Sequence, residues 1–212
     1  MFKTTLKKVG FAVFGQSLIE FSAVPFDLDA DVDWLFFYSK NGIRFFFNQL
    51  DSSDLSLLSN KKIGTIGQGT AQYLTQHYQR QPDFVGNGEP LETARAFAQI
   101  AAGKRVIFPR AKNSQQSIQK QLSTVVNAID LIVYDNTPKT DFTLPEVDIV
   151  VFTSPINARV YFSKYDTASA QKVVAIGHTT ARELQKIGLN NVVIAKNPSE
   201  QGLVDAVIAL GF

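Results

Sequence analysis

Two stretches of this sequence combine residues that could bind an anion. Val173–Leu184 reads VVAIGHTTAREL and Lys62–Leu74 reads KIGTIGQGTAQYL. In each, a short apolar run leads through Ile-Gly into a polar pair and then a helical pattern. Glycine lets the backbone turn sharply without a Cβ clash. A threonine at a helix start can cap a free N–H. The expected product is a strand, a tight turn and a helix N-terminus, whose outward-pointing amides suit an anion. Such turns leave open which anion is meant.

The rest of the composition narrows the chemistry mainly by exclusion. The chain of 212 residues is long enough for one large or two small domains, and apolar content of 45% with 19% charged residues is that of a globular protein. A net charge of +2 is mild. The one basic stretch, Lys104-Arg105 to Arg110 and Lys112, is broken by apolar residues and argues against a nucleic-acid partner. No cysteine is present, so disulfides, thiolate metal sites and a cysteine nucleophile are excluded. The two histidines, His77 and His178, do not form a metal-binding spacing, and no metal is expected. No run approaches the ~20 apolar residues of a membrane span, so a cytoplasmic protein without a membrane partner is expected. Nucleotide motifs are also missing: there is no GxxxxGK[ST], and Gly64-x-x-Gly67-x-Gly69 does not match GxGxxG.

Stepping along the chain gives strands alternating with helices, the pattern of parallel α/β sheets flanked by helices. Expected strands are Phe11–Val24, Asp33–Tyr38, Ile63–Ile66, Phe84-Val85, Arg105–Phe108, Val125–Tyr134, Val147–Phe152, Val173–Ile176 and Val192–Ala195. Expected helices are Ile43–Leu50, Gly69–His77, Glu89–Ala102, Ser114–Leu122, Ala158–Phe162, Thr180–Lys186 and Ser199–Leu210, with an N-terminal segment whose Gly10 resembles a helix stop. The pattern also repeats. Val32–Ser39 (VDWLFFYS) aligns with Val147–Ser154 (VDIVVFTS), an offset of 115 residues; Ile66–Ala71 (IGQGTA) aligns with Ile176–Ala181 (IGHTTA), an offset of 110. A period this long implies two similar domains rather than a solenoid. The long strands Phe11–Val24 and Val125–Tyr134 bracket the first unit and are expected to form a two-strand crossover. The domains are then 1–17 with 138–212, discontinuous, and 18–137, inserted.

Ser39-x-Asn41-Gly42, Ile66-Gly67-x-x-Thr70-Ala71, Phe108-Pro109-Arg110, Val133-Tyr134-Asp135, Phe152-Thr153-Ser154-Pro155 and Ile176-Gly177-His178-Thr179-Thr180-Ala181 follow one another in this order. Together they resemble the uroporphyrinogen-III synthase family, over roughly Phe11 to the C-terminus. No single motif is specific; the ordered set is. The resemblance implies a lyase of heme and other porphyrin biosynthesis. Such an enzyme closes the linear tetrapyrrole hydroxymethylbilane, with loss of water and inversion of ring D, to uroporphyrinogen III. It implies no cofactor, a polycarboxylate tetrapyrrole as substrate, and a monomer.

By matching position, the resemblance implies Tyr134 as proton donor to the leaving hydroxyl, where an ordinary strand-end aromatic would otherwise be read. It implies Thr179 and Thr180 as substrate contacts. Ser39, Ser154 and Thr70 would donate to substrate carboxylates, and each is also an ordinary helix cap. Asn41, Gly67 and Gly177 complete the expected binding set. Arg110 could hold a carboxylate bidentately or lie in a solvated loop. His178 and His77 are read as surface and helix-end residues. One departure stands out: the family begins with a strand ahead of the helix that here ends at Lys8, so the first strand of the discontinuous domain is expected to be missing. The same turns and duplication would also suit a non-catalytic two-domain clamp for a small anionic ligand.

Overall fold

A computed structural model describes residues 2–166 and 171–211. The chain divides into two compact units, Phe21–Asn136 and a discontinuous one made of Met1–Glu20 with Thr137–Phe212. It leaves the discontinuous unit within β1 (Ile19–Ala23) and returns within β6 (Asn127–Pro138), and these two strands are neighbours in one sheet.

The continuous unit runs β2 (Trp34–Phe37), α2 (Lys40–Phe47), α3 (Ser52–Leu57), β3 (Lys62–Thr65), α4 (Gln68–Tyr78), β4 (Phe84–Val85), α5 (Pro90–Ala101), β5 (Arg105–Ala111), α6 (Ser117–Leu122) and then β6. The sheet order is β1-β6-β5-β2-β3-β4, and β2 to β6 pair in parallel. The uninterrupted apolar run of β2 is explained by burial on both faces. Leu35 and Phe37 pack with Ile43, Phe46 and Leu74 on the side of α2 and α4. Trp34 and Phe36 pack with Phe97, Phe108 and Ile118 on the side of α5 and α6. Phe97 meets Trp34 and Phe36 edge-on, with ring centroids 5.0 and 4.8 Å away, so the phenylalanine-rich composition is largely this double core. Gly64 answers the same crowding, since a Cβ there would lie 2.7 Å from the Phe36 ring.

The discontinuous unit carries β7 (Ile149–Phe152), α7 (Pro155–Phe162), β8 (Lys172–Ala175), α8 (His178–Lys186), β9 (Val192–Ile194) and α9 (Glu200–Ile208), with α1 (Phe2–Lys8) against α9. Its strands form the parallel sheet β7-β8-β9. Val150, Phe152, Val173 and Ala175 pack towards α7 and α8, and Val174 towards Leu6, Leu203 and Val207 of α1 and α9. Gly10 stops α1 at φ +95°, with the Gly10 and Phe11 amides donating back to the carbonyls of Lys7 and Leu6.

Of the boundaries that differ from the sequence expectation, three bear on the site. The strand expected over Phe11–Val24 is confined to Ile19–Ala23. In the continuous unit, β5 lies beside β2; among the described residues no strand holds the corresponding place beside β7. Phe11–Leu18 therefore has no ladder to join, and an apolar run without a ladder does not make a strand; the alternating half, Ile19–Ala23, pairs with β6 and does. Second, β5 continues through Pro109 and Arg110 to Ala111, which puts Arg110 in a strand rather than a loop. Third, α2 starts at Lys40, three residues earlier than expected, because Ser39 caps it.

Candidate active site

In each unit the serine, threonine and glycine turns singled out from sequence lie just past the C-terminal ends of parallel strands, where open α/β sheets bind ligands, while Arg110 and Tyr134 lie within β5 and β6. Beyond β2, Ser39 takes an extended conformation and its Oγ accepts from the Gly42 amide at 3.1 Å, capping α2. Asn41 is in the first turn of that helix. Beyond the adjacent β3, Gly67 is the N-cap of α4, and no side chain caps that helix. Gly67 is there because of its neighbour: a Cβ would lie 3.2 Å from both Cα and N of Gly88. Thr70 is buried in the first turn of α4. The uncapped amides carry the partial positive charge of the helix N-terminus, so an anion there gains both hydrogen bonds and the dipole.

The discontinuous unit repeats this. Ser154 beyond β7 caps α7, accepting from the Asn157 amide at 3.2 Å. Gly177 beyond the adjacent β8 is the N-cap of α8, again without a side-chain cap. Thr179 is exposed and Thr180 is buried at 2% exposure. The two threonines therefore differ in kind: Thr179 faces solvent beside the free amides, while Thr180 packs inward like its counterpart Thr70. His178 is an exposed first residue of α8, and His77 lies near the end of α4.

Tyr134 is positioned by an irregularity of β6. Arg110 pairs with Ile132 but Ala111 with Tyr134, so Val133 is an extra residue in the ladder. A bulge of this kind re-aims the next side chain. The Val133 carbonyl is held from two sides, by the Val24 amide and by Gln49 Nε2, each at 3.1 Å. The Tyr134 ring then stacks on Phe45 at 5.1 Å and lies 6.1 Å from Phe21. Burial pushes its phenol above the ordinary tyrosine value, and a hydrogen bond with Ser39 and the charge of Arg44 offset only part of that. The group is a protonated hydroxyl at neutral pH that lies near the Ser39 cap.

Arg110 is not free to meet a ligand. Its Nε and Nη2 donate to the Asp130 carboxylate, and Nη1 donates to the carbonyls of Ala111 at 2.7 Å and Lys112 at 2.9 Å. Arg110 is buried at 8% exposure. Burial alone would raise the Asp130 carboxyl, but the bonds and charge of Arg110 outweigh it and hold the group below the usual carboxylate value. The expected bidentate carboxylate is thus present, supplied by the protein. Sequence reading passed over Asp130 and Phe45. The ring of Phe45, just past the Ser39 cap, could have drawn attention; Asp130 could not, because its partner is twenty residues away across two strands. No group of three or more His, Asp or Glu able to share a metal ion occurs among the described residues.

Comparison with known proteins fits this arrangement. The family model described as uroporphyrinogen-III synthase HemD matches residues 1–205. A protein of Methanocaldococcus jannaschii with a provisional uroporphyrinogen-III synthase name is 26% identical, over 99% of this chain and 93% of its own length. The porphyrin biosynthesis protein HemD of Ruminiclostridium josui is also 26% identical, over 84% of this chain but 38% of that longer protein. The fold is that of the uroporphyrinogen-III synthetase of Helicobacter pylori, with a TM-score of 0.75 at 24% identity over 91% of both chains. It is also like a mutant uroporphyrinogen III synthase of Thermus thermophilus, with a TM-score of 0.57 at 17% identity, over 99% of this chain and 93% of that one. No helix among the described residues is long and apolar enough to cross a membrane. With the ordered motifs, the paired glycine turns and a family match along nearly the whole chain, this protein belongs to the uroporphyrinogen-III synthase family.

Proposed function

We propose that the chain carries out the family reaction with Tyr134 as the general acid. The observation behind this is a buried, protonated phenol that a strand bulge sets beside the Ser39 cap. Hydroxymethylbilane bears a hydroxymethyl group on ring A. Tyr134 donates its proton as the C–O bond breaks, and the hydroxyl leaves as water. The azafulvene that remains is electrophilic. Ring D attacks it through its substituted carbon and forms a spiro intermediate; fragmentation and reclosure at the other α-carbon, with loss of a proton, give the type III macrocycle. General acid catalysis of this kind is worth ~10²–10⁴-fold. The substrate is a polycarboxylate, and the uncapped amides at Gly67 and Gly177, with Ser39, Asn41, Thr70, Ser154, Thr179 and Thr180 near them, are assigned to its carboxylates. Thr70 and Thr180 act by holding their turns rather than by exposure. Arg110 is assigned a positioning role: its pair with Asp130 ties β5 to β6 ahead of the bulge. We assign the enzyme to the cytoplasm as a monomer that binds no nucleic acid.

The test is to generate hydroxymethylbilane enzymatically, add the protein and separate the oxidised isomers. Predominance of the type III isomer is expected. If only the type I isomer of spontaneous closure forms, the enzyme assignment fails for this chain.

A further inference from the structure

The two units share a feature that the proposed mechanism leaves unused. Five residues beyond each capping serine stands an arginine: Arg44 after Ser39 and Arg159 after Ser154. The same serine offset of 115 residues relates them, so they hold equivalent places on α2 and α7. Their surroundings differ. Arg159 Nε pairs with Glu183 on α8 at 3.1 Å. The offset of 110 residues that relates α8 to α4 puts Tyr73 in the place of Glu183. Arg44 accordingly meets no carboxylate among the described residues. Its guanidinium lies instead over the ring of Phe45, 4.6 Å from the centroid, and that ring stacks on Tyr134 at 5.1 Å.

We propose that Arg44 anchors a carboxylate of the substrate beside Tyr134. Three observations support it. The guanidinium lies over the Phe45 ring, whose other neighbour is the Tyr134 ring, so it stands one ring away from the phenol. Its charge reaches the phenol, lowering the Tyr134 value against the effect of burial. Arg44 is also only partly exposed, so its charge is less screened than that of a surface arginine. The planar fork of arginine takes a carboxylate through two parallel hydrogen bonds, and the face that Phe45 covers leaves those in-plane N–H groups available. In the discontinuous unit Glu183 fills this role permanently; in the continuous unit the carboxylate comes with the ligand. The proposal rests on the synthase reading for the identity of that ligand.

The experiment measures equilibrium binding of uroporphyrin III, an octacarboxylate, and steady-state turnover of hydroxymethylbilane for wild type, Arg44→Leu, Arg44→Lys and Arg159→Leu. Arg44→Leu should weaken binding about 10- to 100-fold, as loss of a bidentate ionic pair does, and raise KM more than it lowers kcat. Arg44→Lys, which keeps the charge but not the fork, should recover part of the loss. Arg159→Leu, whose wild-type partner is internal, should bind like wild type. Thermal melts accompany each variant. If folded Arg44→Leu binds within twofold of wild type, or Arg159→Leu loses as much, the assignment is overturned. Wild-type binding that depends on Arg44 without any type III product would sink the synthase reading and leave the anchor standing; no uroporphyrin binding by wild type overturns the anchor as well.

Discussion

Replacing Tyr134 by Phe removes one hydroxyl and keeps the ring. Tyr134 is 8% exposed, and its stacking on Phe45 and contact with Phe21 are ring contacts that Phe retains. The interaction of its hydroxyl with nearby Ser39 is lost, worth at most about 0.5–1.5 kcal/mol. Ser39 Oγ still accepts from the Gly42 amide, so α2 keeps its cap. The thermal midpoint should therefore fall by no more than about 6 °C, since each kcal/mol is worth about 2–4 °C in a chain of this size. The rate should fall far more. If the phenol supplies the proton, its removal costs ~10²–10⁴-fold in kcat, roughly 3–5 kcal/mol of barrier. As the enzymatic route slows, spontaneous closure takes over and the product shifts from the type III to the type I isomer, which chromatography of the oxidised porphyrins reads directly. The pH dependence supplies a second check. The folded-state phenol is raised above its ordinary value of 10.0, so wild type contributes proton-linked stability that is complete below that value and lost as pH rises through the folded one. Tyr134→Phe lacks that loss, and its stability should improve relative to wild type only above pH ~10. A Tyr134→Phe variant whose kcat and isomer ratio stay within about threefold of wild type, under half the logarithm of the smallest expected effect, would refute the assignment.

The Arg110–Asp130 pair makes a different prediction: Asp130→Asn leaves a nearly buried guanidinium without its countercharge. Because the Asp130 side chain is 37% exposed, the cost is set at about 2 kcal/mol, below that of breaking a fully buried pair. Chemical denaturation measures it, and the gap to wild type should be full above the ordinary carboxylate value of ~3.9 and close as pH falls below that towards the lower folded value of Asp130; a constant gap down to pH 2 would contradict this. Thr65, fully buried at the end of β3, has an Oγ1 that finds no partner among the described residues, so Thr65→Val should stabilise the protein by about 1 kcal/mol in urea unfolding. Destabilisation there would mean the hydroxyl is satisfied. The side of β7 away from β8, which no strand among the described residues covers, yields a fourth expectation. An apolar strand fused ahead of Phe2, long enough to lie along Ile149–Phe152, should raise the thermal midpoint and slow amide exchange along β7. Unchanged exchange in β7 would show that this side does not accept a strand.

Much of this protein is legible before any folding is considered. The apolar runs at Trp34–Phe37 and Val173–Ala175, the Ile-Gly turns after Thr65 and Ala175, and the serines after each leading strand are local features. A strand buried on both faces must be apolar throughout, and a turn into a helix needs glycine or a cap. Repetition of these features at long range also exposed the duplication. What only the tertiary structure decided are relations between distant residues. The half of Phe11–Val24 that alternates, Ile19–Ala23, is a strand, while Phe11–Leu18 is apolar enough to be one but pairs with no strand among the described residues, and strandedness is a property of a pair. Arg110 has the chemistry of a carboxylate ligand, yet Asp130 arrives from the next strand and, with the carbonyls of Ala111 and Lys112, takes its bonds. Tyr134 stood out by position, but the bulge that turns it belongs to β6 while the stack on Phe45 and the nearby Ser39 come from α2, and the fold brings the two together. Arg44 looked like any helical arginine until the same place in the other unit was seen to hold an ion pair. Local sequence sets what each segment can become; which charges are satisfied, and which remain for a ligand, is decided by what packs beside them.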